Sequence, residues 1–277
     1  MRLRDLPERL MQREGAVILL SLALVVLLSS IYVVLGIGTG MSAVSMTMAT
    51  GPAGSLVAGL DSGMQFQPWT LTTALLIFAM WLLMMVAMMV PSAAPTVLLC
   101  AALSRTAGGK TSPAPALFLV GYLVAWAAFS LGVTLLQWRL TLQGGLSPMF
   151  MALTSASAGG MLLIAAGTYQ FTPLKQRCLA ACRGPVQSLV QHWRPGASGA
   201  IRAGIALGFN CLGCCWVLML LLFAGGVMNL YWIVGIAVFV AVEKLSPAGP
   251  RVAVYGGAVL IVAGVALILA RLTGHLV

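Results

Sequence analysis

The side chains with chemistry to offer in this sequence carry sulfur. Six cysteines and 16 methionines stand against only two histidines and five acids. Cys211, Cys214 and Cys215 are spaced i, i+3, i+4, which puts all three thiols on one face of a helix. Cys178 and Cys182, at i and i+4, share a face in the same way on a short interfacial helix. Thiolate and thioether are soft donors that select Cu(I). A Cys-x-x-Cys pair also suits reversible disulfide chemistry, and a thiolate cluster is a conceivable zinc site. Cysteines in apolar helices also act as small packing residues, and that is the simpler account of Cys100, which stands alone.

Methionine extends the pattern in two places. Met41, Met46, Met48 and Met64 lie in the polar, Gly-rich stretch 38–68, where a loop offers no core for them to fill. Thioether sulfur needs no deprotonation, so this loop is a candidate for Cu(I) capture. Met80, Met84 and Met88 then repeat at i, i+4, i+8, with Met85 and Met89 as an adjacent stripe. Such a stripe is more often packing than a metal path, but this one runs from the Met-bearing loop towards the cysteines.

Other chemistry is scarce. His192 and His275 lie in a loop and at the C-terminus, and the acids are Asp5, Glu8, Glu14, Asp61 and Glu243. No carboxylate pair or His/Glu chain lies within an apolar run to relay protons, so binding and transfer rather than enzymatic catalysis is expected. Glu243 beside Lys244 reads as interfacial anchoring or a local ion pair. Gly109-Lys110-Thr111 imitates the end of a phosphate-binding loop, but the earlier glycine would have to stand at Ser104.

The elements that must position these groups follow from composition. Of 277 residues 61% are hydrophobic and 7% charged, against about 25% charged in soluble domains. The apolar runs reach the roughly 20 residues that a bilayer requires. An all-α, polytopic transmembrane helix bundle is expected, with about seven spans at 16–37, 69–103, 114–136, 151–171, 203–227, 231–245 and 252–270. The last two are short and tightly joined, so six is the alternative. The run 16–37 is longer than a signal-peptide core and reads as an uncleaved first helix. Pro91 and Pro95 are expected to kink or split the long second span. The organisation is then a cytoplasmic tail at 1–15, a first helix at 16–37, an external Met/Gly-rich loop at 38–68 and a helix bundle at 69–271.

Lysine and arginine in short loops stay cytoplasmic. With the N-terminus inside, thirteen of the 15 basic residues fall on the inner side, and only Arg139 and Arg271 fall outside. The net charge of +10 is thus a topology signal beside anionic lipid, with no support for nucleic-acid binding. All six cysteines come out on the inner side or in the inner half of a span, facing a reducing compartment. Gly204 and Gly208 form a small-xxx-small pattern on roughly the face of Cys211 and Cys215, which lets a neighbouring helix approach closely.

Several stretches together resemble a bacterial family of predicted metal-binding integral membrane proteins, also labelled copper chaperones. They are Met80-Trp81-Leu82-Leu83-Met84-Met85-Val86-Ala87-Met88-Met89-Val90-Pro91, Gly167-Thr168-Tyr169-Gln170-Phe171-Thr172-Pro173-Leu174-Lys175, Cys178 to Cys182 with Arg183, Cys211-Leu212-Gly213-Cys214-Cys215-Trp216, Met228-Asn229-Leu230 and Glu243-Lys244. The resemblance covers roughly residues 70–250 and implies metal handling in a bacterial inner membrane. Many members carry His just before the glycine at 208, where this chain has Leu207; that departure implies a site of sulfur alone or a weaker one.

The leading expectation is Cu(I) binding and transfer across or within the inner membrane. The loop methionines capture the ion, Met80–Met89 pass it inward, Cys211, Cys214 and Cys215 hold it, and Cys178 and Cys182 release it. The reverse use, a holding site that loads copper into a membrane oxidase or an exported enzyme, is equally permitted, since the sequence does not set the direction. The partners expected are membrane lipid and a copper chaperone or a copper-dependent oxidase under assembly. No organic cofactor is expected. The alternative is a membrane thiol-disulfide oxidoreductase working with a quinone, against which stands the lack of external cysteines. A subunit in which sulfur merely packs is the third possibility.

Overall fold

The computed structural model describes residues 5–37, 42–52, 69–106, 113–147, 151–184 and 196–273. Within them the chain is helical, with one isolated bridge between Leu146 and Leu153. Helices suit an apolar chain in lipid, because all their backbone polar groups are satisfied within the segment. The helices are α1 (Asp5–Leu35), α2 (Ala43–Thr50), α3 (Leu71–Thr106), α4 (Ala114–Leu142), α5 (Ala156–Tyr169) and α6 (Pro173–Arg183). They continue as α7 (Ala197–Leu220), the single turn α8 (Leu222–Gly225), α9 (Leu230–Leu245) and α10 (Gly249–Leu272). Polar side chains set several starts: Ser42, Ser155, Thr172 and Asn229 each accept from a backbone N–H in the first turn of α2, α5, α6 and α9.

Among the described residues, five stretches are long and apolar enough to cross a membrane: Gly15–Leu35, Leu71–Ser104, Ala114–Leu142, Ala197–Gly225 and Gly249–Leu272. One of the seven expected spans comes out shorter: the stretch 151–171 condenses to the 14 residues of α5, while the expected short span 231–245 is the 16-residue α9. They give about 21 and 24 Å of helix against a core of about 30 Å. Pro91 and Pro95 do not split α3, which runs as one helix of 36 residues.

α3 and α7 form the centre, with 50% and 56% of their apolar stretches buried, against 17% for α1 and α10. α1 lies along α3 and α10 along α5. The tightest contact joins α4 and α7. A Cβ added at Gly204 would overlap the carbonyl of Phe118, and one at Gly208 would lie 2.6 Å from the Ala125 Cβ. Gly121 meets the Ile201 carbonyl in the same way. Phe118 faces Gly204 and Ala125 faces Gly208, so the two helices run parallel. The small-xxx-small pattern is thus occupied by α4, whose Tyr122 is carried onto the cysteine face.

Candidate metal centre

Cys211 is the midpoint of the 29-residue stretch Ala197–Gly225, and Met89 lies near the middle of the 34-residue stretch Leu71–Ser104. Helix α7 begins at Ala197 rather than 203, so the cysteines stand about 21–27 Å from its start, deeper than a start at 203 implies. Cys211, Cys214, Cys215 and Met89 are all buried.

These side chains meet where α3, α4, α7 and α9 converge. The Met89 Sδ lies 3.9 Å from the Cys215 Sγ. The Tyr122 hydroxyl is 3.1 Å from the Cys211 Sγ and 3.3 Å from the Met89 carbonyl, to which it donates. Lys244 of α9 points its ammonium at the same place. Its Nζ donates to the Cys211 Sγ at 2.9 Å, stands 3.8 Å from the Met89 Sδ and reaches Ser92 Oγ at 3.4 Å. The Cys214 and Cys215 thiols turn back onto their own helix and donate to the Cys211 carbonyl at 3.0 and 2.9 Å. A small cavity adjoins the cluster, lined by Ser92, Thr96, Tyr122, Cys182, Leu207, Cys211 and Lys244 among others.

Helix α6 brings the second cysteine pair to α7. Cys178 packs on Gly213, where a Cβ would lie 2.5 Å from its Sγ, and Cys182 lines the same small cavity as Cys211 and Lys244. The neighbouring Cys214 and burial push the Cys182 thiol up, and burial pushes up Cys178, with Cys214 adding to it.

The clasp that holds α6 is ionic. The Lys175 Nζ donates to both carboxylate oxygens of Glu243 at 2.9 Å, with both side chains fully buried. Arg183 donates to the backbone carbonyls of Glu243, Ser246 and Pro247, satisfying the C-terminal end of α9. The expected pairing within Glu243-Lys244 is therefore corrected. Neighbours on a helix point apart, so Glu243 turns to α6 and Lys244 to the sulfur cluster.

Met89, Cys211, Cys214, Cys215 and Cys182 thus come together, with Cys178 beside them. Met80, Met84, Met85 and Met88 are buried along α3 and lead to Met89 over about 14 Å of helix. Cys100 is eleven residues beyond Met89, about 16 Å further along α3, and apart from the cluster. Within 38–68 the notion of a coreless loop fails in part: α2 forms there, and Met46 is buried at 3% exposure while Met48 is 81% exposed. Asn229 donates to Thr50 Oγ1 at 2.9 Å and to the Gly51 carbonyl at 3.0 Å, tying α2 to the start of α9. Met41, Met64, His192 and His275 lie outside the described residues.

Sequence reasoning missed Tyr122 and the role of Lys244. A lone tyrosine in an apolar run carries no signal of its own. An ionisable residue at the end of an apolar run does carry one, but the acid beside Lys244 supplies an apparent partner for it. Among the described residues no three His, Cys, Asp or Glu side chains form a ready-made metal cage. The convergence here depends on the Met89 thioether and on thiols still turned to their own backbone.

Over the described residues, the fold and this cluster define a helical protein with five stretches of membrane-spanning length and apolarity and a buried thiol–thioether centre. Residues 78–267 match the PpoB2 copper chaperone family, and the chain belongs to that family. No curated protein and no solved structure matches it significantly.

Proposed function

We propose that this protein binds Cu(I) at Cys211, Cys214, Cys215 and Met89 and transfers it across or within the bacterial inner membrane. The carrying observation is the meeting of the methionine stripe with the cysteine cluster at mid-span, Met89 Sδ to Cys215 Sγ at 3.9 Å. Membrane transporters commonly hold their ions near the bilayer midplane, where helices from different parts of the chain converge. Sulfur donors suit Cu(I), and family membership supports a copper-related role. Met80, Met84, Met85 and Met88 serve as the approach, with Met41, Met46 and Met48 as outer capture ligands. Cys182 and Cys178 lie on the side of release. Passing from thioether to thiolate strengthens the hold on the ion, so movement towards the cysteines is downhill. A copper chaperone or a copper-dependent oxidase under assembly is the partner of this step, and no bond in a substrate is made or broken.

The approach of Cys182 on α6 to the cysteine-bearing face of α7 favours a second reading, thiol-disulfide exchange. There Cys182 and one thiol of that face are oxidised to a disulfide while a quinone takes up two electrons and two protons.

Metal analysis of anaerobically purified, Cu(I)-loaded protein separates the two. Bound copper in wild type that disappears in the Cys211→Ser/Cys214→Ser/Cys215→Ser variant is the expected result. Equal copper in both overturns the assignment of these ligands. No copper in either, with a thiol pair that cycles with quinone, supports the second reading.

A further inference from the structure

Lys244 is the one feature of the centre that a sulfur site for a cation does not explain. A buried ammonium repels an incoming metal ion, yet this one stands among the proposed ligands. It is 6% exposed, with its Nζ 2.9 Å from the Cys211 Sγ, 3.8 Å from the Met89 Sδ and 3.4 Å from Ser92 Oγ. Two sulfurs, one from α7 and one from α3, thus already stand against a monovalent cation. The nearest fixed carboxylate, Glu243, is committed to Lys175 on the other side of α9, so the cysteine cluster is the local counterpart of the Lys244 charge.

We propose that the Lys244 ammonium occupies the seat of the metal ion and is exchanged for it, which makes Lys244 the residue that selects a monovalent ion. This rests on the Cu(I) reading above. When Cu(I) enters between Cys211 and Met89, the ammonium swings into the adjoining cavity beside Thr96, Leu207 and Cys182. One positive charge replaces another at the sulfurs, and the displaced charge stays close by. A divalent ion in the same seat adds one further positive charge beside the ammonium, in surroundings where uncompensated charge is expensive. Softness of the donors then separates Cu(I) from hard monovalent ions. Two independent filters follow, charge from Lys244 and softness from sulfur.

The test compares wild type with Lys244→Met, which keeps length and removes the charge, and with Lys244→Arg, which keeps the charge. Cu(I) and Zn(II) affinities are each measured by chelator competition on detergent-purified, anaerobic protein, with thermal unfolding recorded alongside. Lys244→Met is expected to lower the preference for Cu(I) over Zn(II) about tenfold or more, while Lys244→Arg stays close to wild type. An unchanged preference in Lys244→Met, with wild type binding Cu(I), overturns the exchange and leaves the copper site standing. Loss of both metals from a Lys244→Met protein that unfolds at the wild-type temperature also overturns it, because Lys244 would then build the seat rather than fill it. If Lys244→Met does not fold, Lys244→Gln is read by the same criteria. Wild type that takes up no Cu(I) removes the underlying reading, and the exchange with it.

Discussion

Replacing Glu243 by Ala is expected to lower stability by roughly 3–5 kcal/mol, read as a fall in the unfolding temperature of the detergent-solubilised protein. The carboxylate accepts two hydrogen bonds from Lys175, and neither side chain is exposed. Removing it leaves an ammonium buried without its counter-charge. The pair joins α6 to α9, so the same change loosens Cys182 from α7 and shifts Lys244 relative to Cys211; Cu(I) affinity should fall as well. The double variant Lys175→Met/Glu243→Leu should recover much of the stability, since replacing both ions by apolar groups of similar volume is often close to neutral. A Glu243→Ala protein as stable as wild type would show that the clasp does not hold α6.

The second large effect is expected at the crossing of α4 and α7. Gly204→Val sets a branched side chain against the Phe118 carbonyl, and nearby Gly121 meets the Ile201 carbonyl in the same way. The obstacle is backbone on both sides, so no rotamer change relieves it and the helices must part. Overpacking of this kind costs about 1–3 kcal/mol, and more where backbone must move. Parting the helices also carries Tyr122 away from Cys211, so Cu(I) affinity and unfolding temperature should drop together. Gly132→Val on α4 is the matched control, because a Cβ there meets nothing within 4 Å. Equal effects at Gly204 and Gly132 would contradict the account of the crossing.

Much of this was legible in the sequence because it rests on local periodicity. Apolar runs fix helices, and i, i+3, i+4 spacing fixes which cysteines share a face. Gly204 and Gly208 announced the close neighbour. The partner on that face was not legible: which helix fills a glycine groove is a tertiary matter, and Tyr122 entered the centre only once α4 was seen there. The expected span that came out short, α5, starts only after the Ser155 cap and ends at Tyr169 before a second helix start at Thr172, so the apolar run alone overstates helix length. The short span 231–245 came out as expected in α9. Glu243 and Lys244 carry opposite charges in adjacent positions, so the sequence invited a pair. Helix geometry sends them to different partners, one ionic and one sulfur. Met46 escaped the loop reading because eight residues sufficed for a capped helix, α2, which docks on α9 through Asn229.

The central claim is that one Cu(I) is held at mid-span between the methionine stripe and the cysteine cluster. X-ray absorption at the copper edge of Cu(I)-loaded protein tests it most directly, with wild type measured beside Met89→Leu. The account predicts a reduced copper ion coordinated by sulfur alone in wild type, with one sulfur fewer in Met89→Leu. Nitrogen or oxygen ligands at the copper, or a spectrum unchanged by Met89→Leu, would contradict it.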